Sequence, residues 1–131
     1  MTVKLASLRA DLDREAAGDW IDYPDWPGVA FNVRSLHAPK YATKRDLMLQ
    51  RLTRKHKGRA PPPDVMAREA GKLYCDEILF GWRGLDVAYT PEIALETLTD
   101  PAFRDVVAAI EWCASQVAQR SVEFVEEAAK N

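Results

Sequence analysis

The chain has 131 residues, which is enough for one domain with a modest core and too few for two. Its apolar and charged contents, 47% and 29%, indicate a folded protein, and its formal net charge of −2 neither supports nor excludes a nucleic-acid partner. No apolar run approaches the roughly 20 residues of a membrane span, and the first residues lack the apolar core of a secretion signal.

The charge is unevenly distributed along the chain. Residues 40–59 hold eight Lys or Arg against one acid, whereas residues 92–131 hold eight acids against three bases. Such a chain can pair its two halves within one copy or stack head to tail with other copies.

The first half of the chain predicts two helices around a β-hairpin. Leucines at helical spacing predict an amphipathic helix over residues 3–17, ended by Gly18. Residues 19–34 alternate in polarity on both sides of the loop PDWPG, which predicts the hairpin. Residues 38–57 follow as an amphipathic helix with a basic flank, and residues 58–63 form a proline-rich linker.

The second half predicts a helical core over residues 63–130. A helix spans 63–79, with Gly71 inside it as either a close-packing site or a weak spot. Gly81 and Gly84 then predict an irregular turn, Thr90-Pro91 begins a helix over 91–98, and Asp100-Pro101 begins a long one over 101–129. The predicted fold is mainly α: one domain over residues 1–131, with about five helices and a short N-terminal β-hairpin.

No group of residues predicts catalysis, a metal site or a cofactor. The two histidines, His37 and His56, have no Cys, Asp or Glu at metal-ligand spacing, and adjacent carboxylates such as Asp76-Glu77 point about 100° apart on a helix. Phosphate-binding and nucleophile motifs are missing as well. Cys75 and Cys113 have the character of reduced core cysteines. We therefore expect a protein that is not an enzyme and takes no small-molecule substrate.

Several residues are candidates for binding a macromolecular partner. Lys44, Arg51 and Arg54 on the basic flank can follow phosphates, but no nucleic-acid-binding motif accompanies them and a protein-facing or solvated surface is the alternative. Trp112 lies opposite the apolar stripe of the last helix, where either a partner or another helix of the same domain covers it. Trp26 in the hairpin loop is similarly ambiguous, and Trp82 either binds a partner or packs at the core edge.

Four segments carry a family resemblance. WPGVAFNVRSL, the basic helix, ILFGWRGLDVAYTPEIALETLTDPAFRDVV and the terminal FVEEAAKN occur in the order found in tail assembly chaperones of long-tailed phages and prophages. The resemblance covers residues 19–131, and its most distinctive parts are Gly81 to Asp86 and Tyr89 to Glu92. The connection from Asp86 to Tyr89 is shorter than the family leads us to expect.

The resemblance implies a role carried out through protein contacts. Such chaperones coat the tape-measure protein in the host cytoplasm, help recruit tail tube subunits, self-associate and are absent from the mature virion. A longer product often arises by frameshifting near the end of the gene, and Ala129-Lys130-Asn131 are residues that a slippery run of codons can encode. The alternatives are a minor tail or connector protein that stays in the virion and a small nucleic-acid-binding phage protein.

Overall fold

The computed structural model describes residues 1–126. In chain order the elements are β1 (Thr2–Val3), α1 (Leu12–Ala17), β2 (Asp19–Asp22), β3 (Ala30–Val33), α2 (Pro39–Lys55), α3 (Pro63–Glu77), β4 (Leu79–Arg83), α4 (Pro91–Leu98), α5 (Arg104–Val117) and β5 (Phe124–Val125). Short 3-10 turns occupy Leu5–Leu8 and Pro101–Phe103.

An antiparallel sheet with the order β2-β3-β4 lies at the centre of the fold. Its register places Phe31 opposite both Ile21 and Trp82, so these apolar side chains share one face. That face packs against α5 and α3, where Phe31, Val33, Leu79 and Ile110 are fully buried. On the other face, guanidinium groups stack on exposed rings, Arg83 over Trp20 and Arg34 over Phe80.

The helix α3 organises the helical layer. It packs against α2 on one side and α4 on another, and it leads directly into β4. Tyr41, Met48 and Leu52 are the three buried residues of α2, and they follow helical spacing along one narrow stripe. Most of the surface of α2 is therefore exposed.

The prediction of a mainly α fold was wrong. The described residues form five α-helices together with five strands in two sheets, one of them three-stranded. The predicted hairpin of residues 19–34 exists as β2 and β3, but it is only part of that sheet. Its third strand, β4, lies where Gly81 and Gly84 predicted an irregular turn. The side of Gly81 where a Cβ would stand is occupied by the ring of Trp20, so here a glycine in a strand marks close packing.

The two ends of the chain also differ from the prediction. Residues 3–17 contain a short strand, a 3-10 turn and only one and a half turns of helix in place of one helix. The final helix ends at Val117, and Phe124 and Val125 form a strand that pairs with β1. A short apolar pair such as Phe124-Val125 is compatible with the periodicity of a helix and with that of a strand. The core does not extend beneath this pair, so no tertiary packing favours a helix there. Residues 127–129 of the predicted helix lie outside the described residues.

The predicted helix starts in the second half are confirmed. The Thr90 side chain accepts a hydrogen bond from the Ile93 amide at 3.1 Å, and Pro91 occupies the first helical position. Asp100 likewise accepts from the Ala102 amide at 2.9 Å, although it caps a 3-10 turn that leads into α5.

Candidate protein-interaction surfaces

The first and last described strands and the turn that follows β1 carry several exposed large apolar side chains. We call β1, β5 and the turn Leu5–Leu8 the terminal ribbon. Thr2 pairs with Val125 and Val3 with Phe124, and the Lys4 amide donates to the Glu123 carbonyl at 2.8 Å. No residue of these three elements is buried, and the side chains of Leu5 and Phe124 are 82% and 57% exposed.

The terminal ribbon was not among the predicted sites. Leu5, Leu8 and Leu12 supply the helical spacing that predicts an amphipathic helix over residues 3–17, yet all three are exposed. An isolated two-stranded ribbon gains little stability in water, and a cluster of exposed large apolar side chains is typical of a surface that binds another protein. The terminal ribbon is therefore the first candidate interaction surface.

The basic flank of α2 is partly neutralised by acids of α3. Lys44 Nζ lies 2.6 Å from Glu77 Oε1, and Arg51 Nη2 lies 2.8 Å from Glu69 Oε2. The hydrogen bond to Glu77 raises the pKa of Lys44, and the hydrogen bond from Arg51 lowers the pKa of Glu69. Arg54 has no ion-pair partner among residues 1–126. Of the three predicted basic site residues, two are thus engaged in holding α2 to α3.

The structure brings two of the predicted tryptophans into one cluster. The ring of Tyr23 lies edge-on to Trp26 at 4.8 Å and to Trp112 at 5.7 Å, joining the hairpin loop to α5. Trp112 nevertheless remains 38% exposed. The same domain therefore covers part of Trp112, and the rest of the ring is accessible to a partner.

Trp82 lies in the core rather than on the surface. It is 8% exposed, its indole Nε1 donates to the Val87 carbonyl at 2.8 Å, and its ring meets Tyr89 edge-on. The hydrogen bond explains how the short Asp86–Tyr89 connection is held. Binding of a partner to the Trp82 ring would require this connection to move.

A cleft of about 320 Å³ lies between α3, the turn after α4 and α5. Two residues of its lining form a hydrogen bond of 2.6 Å from the Tyr74 hydroxyl to the Glu111 carboxylate. Burial and this hydrogen bond raise the pKa of Tyr74 above its ordinary value. The lining contains both acids, among them Asp64 and Asp100, and the bases Arg68 and Arg104, so it does not select strongly for cations or for anions.

The thiols are unsuited to nucleophilic chemistry. Both cysteines are free, and burial raises the pKa of Cys75 and of Cys113 to about 11. The Cys113 thiol is fully buried and faces the Ile21 carbonyl oxygen at 3.8 Å. Within residues 1–126, no group of three or more His, Cys, Asp or Glu is placed to hold a metal ion, and none of the helices is long and apolar enough to cross a bilayer.

Comparison with known proteins identifies a family whose model matches most of the chain. No curated protein and no solved structure matches the chain. The family model described as YdaY prophage protein matches residues 36–131, a segment that begins after β3 and includes α2, α3, β4, α4, α5 and β5. Because this segment is more than half of the sequence, the chain belongs to the YdaY family of prophage proteins.

Proposed function

We propose that this prophage protein is a tail assembly chaperone that binds a tape-measure protein and aids assembly of the tail tube in the host cytoplasm. The proposal assigns it no enzymatic activity, no cofactor and no place in the mature virion. The phage resemblance of residues 19–131 and membership of a prophage family support this class of function.

The observation that carries the proposal is the terminal ribbon. A protein that keeps a long amphipathic helix soluble must offer exposed apolar side chains, and the ribbon offers them from two strands and an adjoining turn. Because no residue of the ribbon is buried, its side chains are available without any unfolding of the core.

Co-expression tests the proposal directly. The chain is produced together with the tape-measure protein that the proposal predicts in the same prophage, and the soluble fraction of that protein is measured. Wild type should keep it soluble and co-purify with it, whereas L5D/F124D should not. The matched control L85D/V87D places the same two acids at exposed apolar positions outside the ribbon and should behave as wild type.

Two results would contradict the proposal at different levels. A wild-type chain that neither solubilises nor binds the tape-measure protein removes the chaperone function. A fully active L5D/F124D variant leaves the function but removes the terminal ribbon as its site.

A minor tail or connector protein is the alternative class. It predicts the chain in purified virions, where mass spectrometry would detect it, while a chaperone is absent. The basic flank of α2, with Arg54 free of ion pairs among the described residues, keeps nucleic-acid binding as a further alternative. A gel shift that weakens with salt tests it.

A further inference from the structure

The exposed flank of α2 combines positive charge with one large apolar side chain. Lys40, Lys44, Leu47, Arg51 and Arg54 follow one another at spacings of three or four residues and so share a side of the helix. We call these residues the basic face. Leu47 stands in its middle and is 59% exposed.

The exposed side of α4 also combines a large apolar side chain with charged ones, but here the charges are negative. Glu92, Leu95 and Glu96 lie within one turn on its solvent side, and Leu95 is 44% exposed. Asp100, Phe103 and Asp105 are also exposed and follow α4 in the chain up to the start of α5, with the exposed base Arg104 among them. We call the six residues other than Arg104 the acidic face, and within residues 1–126 none of its carboxylates has an ion-pair partner.

The two faces do not neutralise each other within one copy. Both α2 and α4 pack against α3, and no ion pair of the described residues joins α2 to α4. The cations on the flank that do find acids, Lys44 and Arg51, find them on α3. Arg54 and the neighbouring Lys55 stay available, as do Glu92 and Glu96.

We propose that the basic face of α2 binds the acidic face of α4 in a second copy of the chain. The basic face presents exposed Leu47 between Lys40 and Arg54, two cations that are unpaired among the described residues. The acidic face presents exposed Leu95 beside Glu92 and Glu96, so the apolar side chains meet where the charges complement one another. Because the surfaces differ, the contact is head to tail and leaves one face open at each end. Further copies then bind to the open faces, and the assembly either closes into a ring or grows as a filament.

The same features favour a protein partner over nucleic acid at this site. Phosphate tracking uses a row of free cations, whereas the pairing of Lys44 and Arg51 leaves only Lys40 and Arg54 of the basic face without an ion-pair partner among residues 1–126. An exposed leucine in the middle of the flank contributes nothing to a phosphate contact but suits a second apolar side chain. A surface of matching pattern and opposite charge occurs on this same chain.

Two double variants test the basic face and the acidic face separately. R54E/K55E reverses charge on and beside the basic face without touching the pairs to α3, and E92K/E96K reverses it on the acidic face. We expect the mass of the wild-type assembly to rise with concentration and to fall between about 0.05 M and about 0.5 M salt in analytical ultracentrifugation. Each variant alone should associate about tenfold or more weakly.

Mixing the two variants gives the decisive result. The intact acidic face of R54E/K55E can bind the intact basic face of E92K/E96K, and the two reversed faces also carry opposite charges, so an equimolar mixture should form complexes at concentrations at which neither variant associates alone. The control R9E/R120E carries the same change in charge at exposed positions of other surfaces and should assemble as wild type. Thermal melts verify that each variant is folded, and L95S/E96K replaces E92K/E96K if the loss of Glu92 from the first turn of α4 prevents folding.

Three outcomes overturn the inference: a wild-type chain that stays monomeric at low salt, variants that assemble like wild type, or a mixture that associates no better than either variant alone. DNA binding that R54E/K55E abolishes without affecting assembly would also overturn it and assign the basic face to nucleic acid. The test is independent of the terminal ribbon. Variants that fail to assemble but still solubilise the tape-measure protein leave the proposed function in place.

Discussion

Gly71 is the residue at which α3 comes closest to α4. A Cβ atom added there would lie 2.8 Å from the carbonyl carbon of Leu98, which belongs to the backbone and cannot move aside. The sequence left two explanations for a glycine in this helix, close packing and a weak spot, and the structure decides for close packing. A side chain is excluded here by a neighbour 27 positions away in the chain.

Gly71→Ala should therefore destabilise the protein. Alanine is favoured over glycine inside a helix by about 1 kcal/mol, but overpacking against a backbone typically costs about 1–3 kcal/mol. The free energy of unfolding, measured by urea titration, should fall. The reciprocal control Ala67→Gly, on the exposed side of the same helix, should lose only the propensity of about 1 kcal/mol. A more stable G71A variant would contradict the close approach of α3 and α4.

Buried polar residues show the same dependence on distant neighbours. Ser35 is fully buried, and its hydroxyl donates to the Glu15 carboxylate at 3.0 Å while it accepts from the His37 amide at 3.0 Å. The pair ties α1 to the turn that precedes α2. Neither residue belonged to a pattern in the sequence, because a serine and a glutamate are ordinarily surface residues.

At the scale of elements, charged side chains hold α2 against α3 at the edge of a narrow apolar contact. Three buried residues anchor α2, and the pairs Lys44–Glu77 and Arg51–Glu69 flank them. Glu77 is itself buried and also lies 3.6 Å from Arg34. The basic flank predicted from the sequence thus has a structural role in addition to any partner that it binds.

The Arg51–Glu69 pair should make stability depend on pH in the acidic range. The hydrogen bond from Arg51 lowers the pKa of Glu69 in the folded state, so its contribution is present above the ordinary glutamate pKa and is lost as pH falls through the lowered value. Arg51→Gln should cost about 0.5 kcal/mol at neutral pH and low salt, and nothing once Glu69 is protonated. Urea unfolding at several pH values measures this.

The matched control for this pair is Arg54→Gln. Arg54 lies on the same flank but has no ion-pair partner among the described residues, so its replacement should leave the pH profile unchanged. Equal effects of R51Q and R54Q would show that the overall charge of α2, rather than the pair, determines the stability.

At the scale of the whole molecule, the first and last described strands pair with each other outside the core. The core lies between the three-stranded sheet, α3 and α5, and the terminal ribbon adds no buried residue to it. A surface of this kind can be altered for binding without a large effect on folding. This separation fits the proposal that the terminal ribbon binds a partner while the core provides the stability of the fold.

The variant L5D/F124D should therefore unfold at nearly the same temperature as wild type. Exposed substitutions away from the core usually change stability by no more than about 0.5 kcal/mol, and both side chains are exposed. Differential scanning calorimetry checks this. A large loss of stability would show that the terminal ribbon supports the core, and its effect on partner binding would then have another cause.

The sequence by itself determined the features that neighbouring residues control. The start of α4 at Thr90 and Pro91, the existence of strands on both sides of PDWPG and the narrow apolar stripe of α2 all depend on residues a few positions apart. Membership of a prophage family agrees with the phage origin that the resemblance indicated, while the chaperone role stays a proposal.

Only the tertiary structure decided which segments pair and which side chains are covered. Leu79 to Arg83 becomes a strand because β3 lies beside it, and Phe124 becomes one because it meets Val3 from the other end of the chain. Trp82 is buried while Leu5 is exposed, although both looked equally apolar in the sequence. The physical reason is that hydrogen bonding between strands and the burial of a side chain both depend on atoms far away in the chain, and local periodicity carries no information about them.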